Sequence, residues 1–171
     1  MNIHVRPART DDAAMAIETL RASIELLCQA DHRGDPATLS AWLANKTPEN
    51  FCSWQSDPNN FCVVAESRGV LVGIGLVHRA GEIRLLYLAP GQQGRGIGLS
   101  IYQALEVKAR EWAIGRLTLD STALARRFYE SVGFSPAGPA APAFGMITAY
   151  PYEKQLQPNI SLKRTNQSLR D

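Results

Sequence analysis

Little in this chain offers a covalent or metallic anchor. Its 171 residues include three cysteines, Cys28, Cys52 and Cys62, an odd number with no Cys-x-x-Cys pair and no histidine at ligand spacing. They read as reduced thiols of a cytoplasmic protein and argue against both a disulfide framework and a metal site. Charge of one sign is also scarce: 18 Lys and Arg against 16 Asp and Glu leave +2, which gives no electrostatic case for nucleic acid or a membrane surface. No apolar run reaches the length needed to span a bilayer, and Met1 to Arg6 meets charge too early for a secretory leader. No internal repeat is present. The length suits one domain, expected over residues 1–157, with the polar and basic stretch 158–171 as a flexible tail.

What stands out instead is the stretch from Leu85 to Trp112. Leu85, Leu86, Tyr87 and Leu88 make a short apolar run suited to a buried strand, ended by Pro90-Gly91. After three glycines in five residues, Ile97, Ile101, Ala104, Leu105, Ala109 and Trp112 recur at helical spacing. A helix that starts inside a glycine-rich turn leaves backbone N–H groups without partners beside the positive end of its dipole. Such a turn holds a phosphate, with Gln93 and Arg95 as further donors. Two other glycine motifs fail. A dinucleotide fingerprint starting at Gly94 needs glycine where Leu99 stands, and the P-loop Gly-Lys-Ser/Thr is missing.

Around this stretch, Ile3 to Arg6 suggest a first strand, Thr10-Asp11-Asp12 a capped helix start, and Asp35-Pro36 a second one. The segment from Thr47 to Asn60, with Phe51 and Trp54, reads as a packed connection. Phe61 to Glu66 and Val70 to His78 form a hairpin, with Gly73 and Gly75 marking a bulge or bend. Glu82 to Ala89 is the strand that carries the turn. Leu117 to Asp120 is the next, followed by a helix capped by Ser121 or Thr122 and ended by Gly133. Phe134-Ser135 and Phe144 to Leu156 supply closing strands. The sum is an α/β (α+β) domain: a mixed, mostly antiparallel central sheet of six to seven strands with about four helices on its faces.

Gln93-Gly94-Arg95-Gly96-Ile97-Gly98 resembles the Gln/Arg-x-x-Gly-x-Gly/Ala mark of the GCN5-related N-acetyltransferases. A second block, Ala125 to Phe134, is similar to the family's later helix ending in Tyr-Glu-x-x-Gly-Phe. The resemblance implies a sheet splayed between strands 4 and 5, with acetyl-CoA as co-substrate. It would lie along Leu86, Tyr87 and Leu88, with its diphosphate held by Gln93, Gly94, Arg95, Gly96, Ile97 and Gly98. Thr122 stands where many members carry a cofactor-touching asparagine, and Gln93 where arginine is commoner.

The resemblance also implies an acetyl transfer by direct attack in a ternary complex, onto a primary amine of a small molecule or protein. Tyr129 is then the general acid for the leaving thiolate, and the Leu88 N–H meets the oxyanion. Glu82, eleven positions before Gln93, matches the spacing of the glutamate base in the family's protein-lysine acetyltransferase branch, whereas many members use only a water chain. His78 is a second candidate base, and Arg84 a clamp for a carboxylate-bearing acceptor. The other reading is a non-catalytic acyl-CoA-binding or regulatory module. A homodimer is left open, and the acceptor is not written in these residues.

Overall fold

The computed structural model describes residues 2–158, so the expected tail, from residue 159 on, lies outside the described residues. The chain opens with strand β1 (His4–Pro7), a 3-10 turn (Thr10–Asp12) and helix α1 (Ala13–Leu27). The entry to α1 is held differently from expectation, because Thr10 does not cap it. Asp12 instead accepts the Arg9 N–H at 2.7 Å and both terminal nitrogens of Arg6 at 2.8 and 2.9 Å. The Arg6 guanidinium holds the Asp12 carboxyl below its ordinary range.

Helices α2 (Gln29–His32), α3 (Pro36–Leu43) and α4 (Pro48–Ser56) follow. Asp35 caps α3 as expected, accepting the Thr38 N–H at 2.8 Å. The stretch Thr47 to Asn60 corrects the reading of a connection. Thr47 accepts the Asn50 N–H at 3.2 Å and Pro48 takes the first helical position, the same cap-then-proline signal as Asp35-Pro36. Its packing is as expected, since Phe51 is fully buried. Burying one such ring contributes about 1.5–3 kcal/mol.

Strands β2 (Asn60–Ser67), β3 (Val70–His78) and β4 (Ile83–Leu88) join β1 in an antiparallel sheet ordered β1-β2-β3-β4. Helix α5 (Ile97–Glu111) packs across it. Gly73 adjoins a bulge in β3, as expected, since Ala65 pairs Gly73 but Glu66 pairs Leu71 and leaves Val72 extra. The second shift, at Leu76/Val77, has its extra residue on β4, and the two glycines have a further role. They make room for α5: a Cβ on Gly73 would sit 2.6 Å from Ile101 Cδ1, and one on Gly75 would also strike Ile101.

Strand β5 (Arg116–Ser121), helix α6 (Arg126–Ser131), two-residue strands β6 (Ser135–Pro136) and β7 (Ala141–Pro142), and β8 (Thr148–Gln155) complete the domain. They form a second sheet ordered β5-β8-β6, with β7 also on β8. Among the described residues there are eight strands, two of them only two residues long, and six α-helices, close to the six to seven strands and about four helices expected. The sheets meet through one parallel bridge, Glu82 to Thr118, with Thr118 N–H donating to Gly81 O at 2.9 Å. Beyond that bridge β4 and β5 part.

Two cores flank the main sheet. One packs α1, α3 and α4 on it through residues such as Leu20, Ile24 and Phe51; the other packs α5 and α6 through Ile101, Leu105 and Tyr129. The side chains of β4 alternate between them: Leu85 and Tyr87 join the first, Leu86 and Leu88 the second.

Candidate active site

Where β4 and β5 part, a cavity of about 560 Å³ opens. One end is the turn after β4. Gly91, Gly94 and Gly96 all have positive φ (78°, 73° and 78°), a region closed to most side chains. A Cβ on any of them would meet no atom within 4 Å. These glycines therefore serve backbone shape and an open face, not packing. Gly96 is the left-handed N-cap of α5, and no side chain caps the helix. Its first amides are left for an outside acceptor, with the dipole's positive end behind them. Gln93, Gly94, Gly96, Ile97 and Gly98 line the cavity, whereas Arg95 is exposed and does not.

Along β4 the backbone supplies directional donors. Ala89 N–H donates to Val72 O at 2.9 Å, toward β3. By alternation the amides of Leu88 and Leu86 face the other way, into the gap. The alternation is reset at Arg84, which is the extra residue where Leu76 pairs Leu85 but Val77 pairs Ile83. Leu86, Tyr87 and Leu88 all line the cavity.

Tyr129, on α6, lines it from the opposite side. Its ring packs edge-on against Phe128 (5.3 Å between centroids) and Phe134 (5.6 Å). Burial, with a smaller contribution from Tyr87, raises its phenol above the ordinary value. It therefore stays protonated at neutral pH. Gly98 couples the two ends of this arrangement, because a Cβ there would touch the Phe128 ring at 3.4 Å.

This geometry has relatives. Residues 28–156 match the family model described as an acetyltransferase (GNAT) domain. The chain belongs to that family. An uncharacterized N-acetyltransferase of Mycobacterium tuberculosis is 28% identical over 102 residues, which are 56% of this chain and 65% of that protein. The chain thus spans just under two thirds of the length of the curated relatives it matches. A GCN5-related N-acetyltransferase from Rhodopseudomonas palustris superposes with a TM-score of 0.80 at 25% identity, covering 91% of this chain and 97% of that one. The PaiA N-acetyltransferase of Thermoplasma acidophilum, solved with coenzyme A, gives 0.74 at 20% identity, covering 91% and 100%.

Within this GNAT domain, the remaining sequence candidates fall in different places. Thr122 lines the cavity and accepts the Ala125 N–H at 3.3 Å, capping a turn ahead of α6 and not the helix itself. Ser121 donates to Thr122 O at 2.8 Å. Glu82 is not among the lining residues. It stands at the closed base of the split, half exposed, and binds Arg84 Nε at 2.9 Å. Arg84 does line the cavity, while the ring of His78 accepts the Ala80 N–H at 3.0 Å and stays outside it.

The GNAT cavity also has a wall that sequence reasoning missed: Ser23, Leu27 and Cys28 at the end of α1, and Asp120 and Leu124 across the split. Spacing gave no signal for them, since α1 reads as an ordinary amphipathic helix. Burial pushes the Cys28 thiol up to about 12, helped by the charge of Asp31. A thiol held neutral in this way is a poor nucleophile. Among the described residues no cluster of His, Cys, Asp or Glu suits a metal ion, and no helix is long and apolar enough to cross a membrane.

Proposed function

We propose that the chain is an acetyl-CoA-dependent N-acetyltransferase that acetylates a primary amine by direct attack in a ternary complex. The observation that carries this reading is the split beyond Glu82 and Thr118, which joins an uncapped helix N-terminus to a protonated, buried phenol. The diphosphate lies on the amides of residues 94–98, with Gln93 and Arg95 at its rim. The pantetheine arm runs along the free edge of β4 past Leu86, Tyr87 and Leu88, with Thr122 on the facing wall.

The amine lone pair attacks the thioester carbonyl, whose oxygen takes the negative charge and meets the Leu88 N–H. The C–S bond then breaks, and Tyr129 gives its proton to the sulfur. The proton released by the nitrogen leaves through water. Glu82 serves as base only at the far end of such a chain, since it stands off the cavity and is engaged with Arg84. A route through an acetylated cysteine is disfavoured by the neutral Cys28 thiol.

The test is CoA release from acetyl-CoA across polyamines, amino acids, aminoglycosides and peptides, comparing the protein with Tyr129→Phe. Turnover that survives the substitution removes Tyr129 from the chemistry. Acetyl-CoA binding by calorimetry with no CoA release from any amine makes the chain a binding module instead.

A further inference from the structure

The cavity's far end, where α1 passes into α2, buries a carboxylate. Asp31 is 6% exposed. Its Oδ1 accepts the Ala123 N–H at 2.7 Å, tying α2 to the turn that follows β5, while Oδ2 has no hydrogen-bond partner. Among the described residues no Lys, Arg or His forms an ion pair with it. A carboxylate taken out of water is costly unless its charge and lone pairs are met inside the fold. Here one oxygen is met and the charge is not.

The surroundings of Asp31 belong to the cavity. Cys28, whose carbonyl accepts the Asp31 N–H at 2.9 Å, lines it, and so does Thr122, next in chain to Ala123. Asp31 itself stands behind that wall. It is close enough to act on lining residues: burial raises the Cys28 thiol and the Tyr87 phenol, and the charge of Asp31 adds to both, as the least of the causes at Tyr87. Asp120 lines the same cavity, also with no ion pair among the described residues. Arg84, the one cation lining the cavity among the described residues, is paired with Glu82 and with neither of these acids.

We propose that Asp31 determines acceptor specificity, attracting the second, protonated nitrogen of a diamine-type acceptor whose first nitrogen is acetylated. This rests on the acetyl-transfer reading. The reacting nitrogen must be neutral to attack, whereas a second one keeps its proton and answers the unpaired charge. Attraction across a wall of apolar atoms needs no contact, because such a wall screens charge far less than water does.

The test is calorimetry on the CoA-bound protein with 1,5-diaminopentane and with 5-aminopentan-1-ol, which has the same length and one ammonium. The diamine is expected to bind at least about tenfold tighter. Asp31→Asn, which keeps an oxygen for the Ala123 N–H, should bring the ratio to within about twofold while acetyl-CoA affinity holds. Equal binding of the two ligands, no binding of the diamine, or equal losses for both in the variant would overturn the proposal. If the variant does not fold, Asp120→Asn decides: a diamine preference kept in it supports Asp31, and one lost with it overturns the proposal. Turnover recorded alongside separates the two readings. Diamine preference without CoA release defeats acetyl transfer alone, and transfer to both amines without preference defeats Asp31 alone.

Discussion

At the 93–98 end of the cavity the wall is a glycine turn running into an uncapped helix start; at the Cys28 end it is side chains, with the buried Asp31 behind them. The first end is electropositive through a helix dipole and needs no particular side chain except the ones that are absent. The second is electronegative through Asp31 and depends on which helix happens to pack there. A backbone site suits a ligand part common to every turnover, such as a diphosphate, and a side-chain site suits the part that differs between acceptors.

The sharpest way to break this contrast lies between the ends, at Tyr129. If the phenol serves the sulfur, Tyr129→Phe lowers kcat about 10²–10⁴-fold and leaves the KM for acetyl-CoA within about twofold, read by CoA release. Next in size is the turn itself. Gly96→Val forces a side chain into a left-handed N-cap at a cost of about 1–2 kcal/mol, equivalent to roughly five- to thirtyfold. Calorimetry should show that loss in acetyl-CoA affinity, with diamine affinity unchanged.

Helix α5 repeats the contrast along its own length, its first turn open and its second half clamped. Burial alone would raise the Glu106 carboxyl, but hydrogen bonds from Tyr102, Lys154 and Arg110 outweigh it and bring it down to about 2. A folded pKa below the unfolded one adds stability that is complete above about pH 4.5 and lost as the pH falls toward 2. Thermal melts of Glu106→Gln should therefore show a deficit of roughly 3 kcal/mol near neutrality that vanishes in acid. Acetyl-CoA affinity should hold, because the clamp is far from the turn. The smallest effect is expected at Cys28→Ala, where turnover stays within about threefold because the buried thiol takes no part.

The turn was legible because its conformation demands residues that leave a mark: positive φ at Gly91, Gly94 and Gly96, then Ile97, Ile101 and Leu105 at helical spacing against the core. The Phe128–Phe134 block was legible for the same reason, with Gly133 at φ 98° ending the helix. Helix α4 was as plainly signalled by Thr47-Pro48, but the turn-forming residues around it masked the cap. Gly73 and Gly75 were legible in part: the bulge beside Gly73 was signalled, but a glycine that yields space to a distant side chain looks the same in sequence as one beside a bulge.

By itself the sequence determined local conformation: where helices begin, where φ must be positive, and which faces are apolar. Only the tertiary structure decided which groups share the cavity. It set Glu82 outside, at the base where β4 and β5 still touch, and it brought Asp31 to Ala123 across 92 positions of chain. Local conformation follows from interactions a few residues apart, whereas a contact of that span exists only when two separate cores have packed against one sheet.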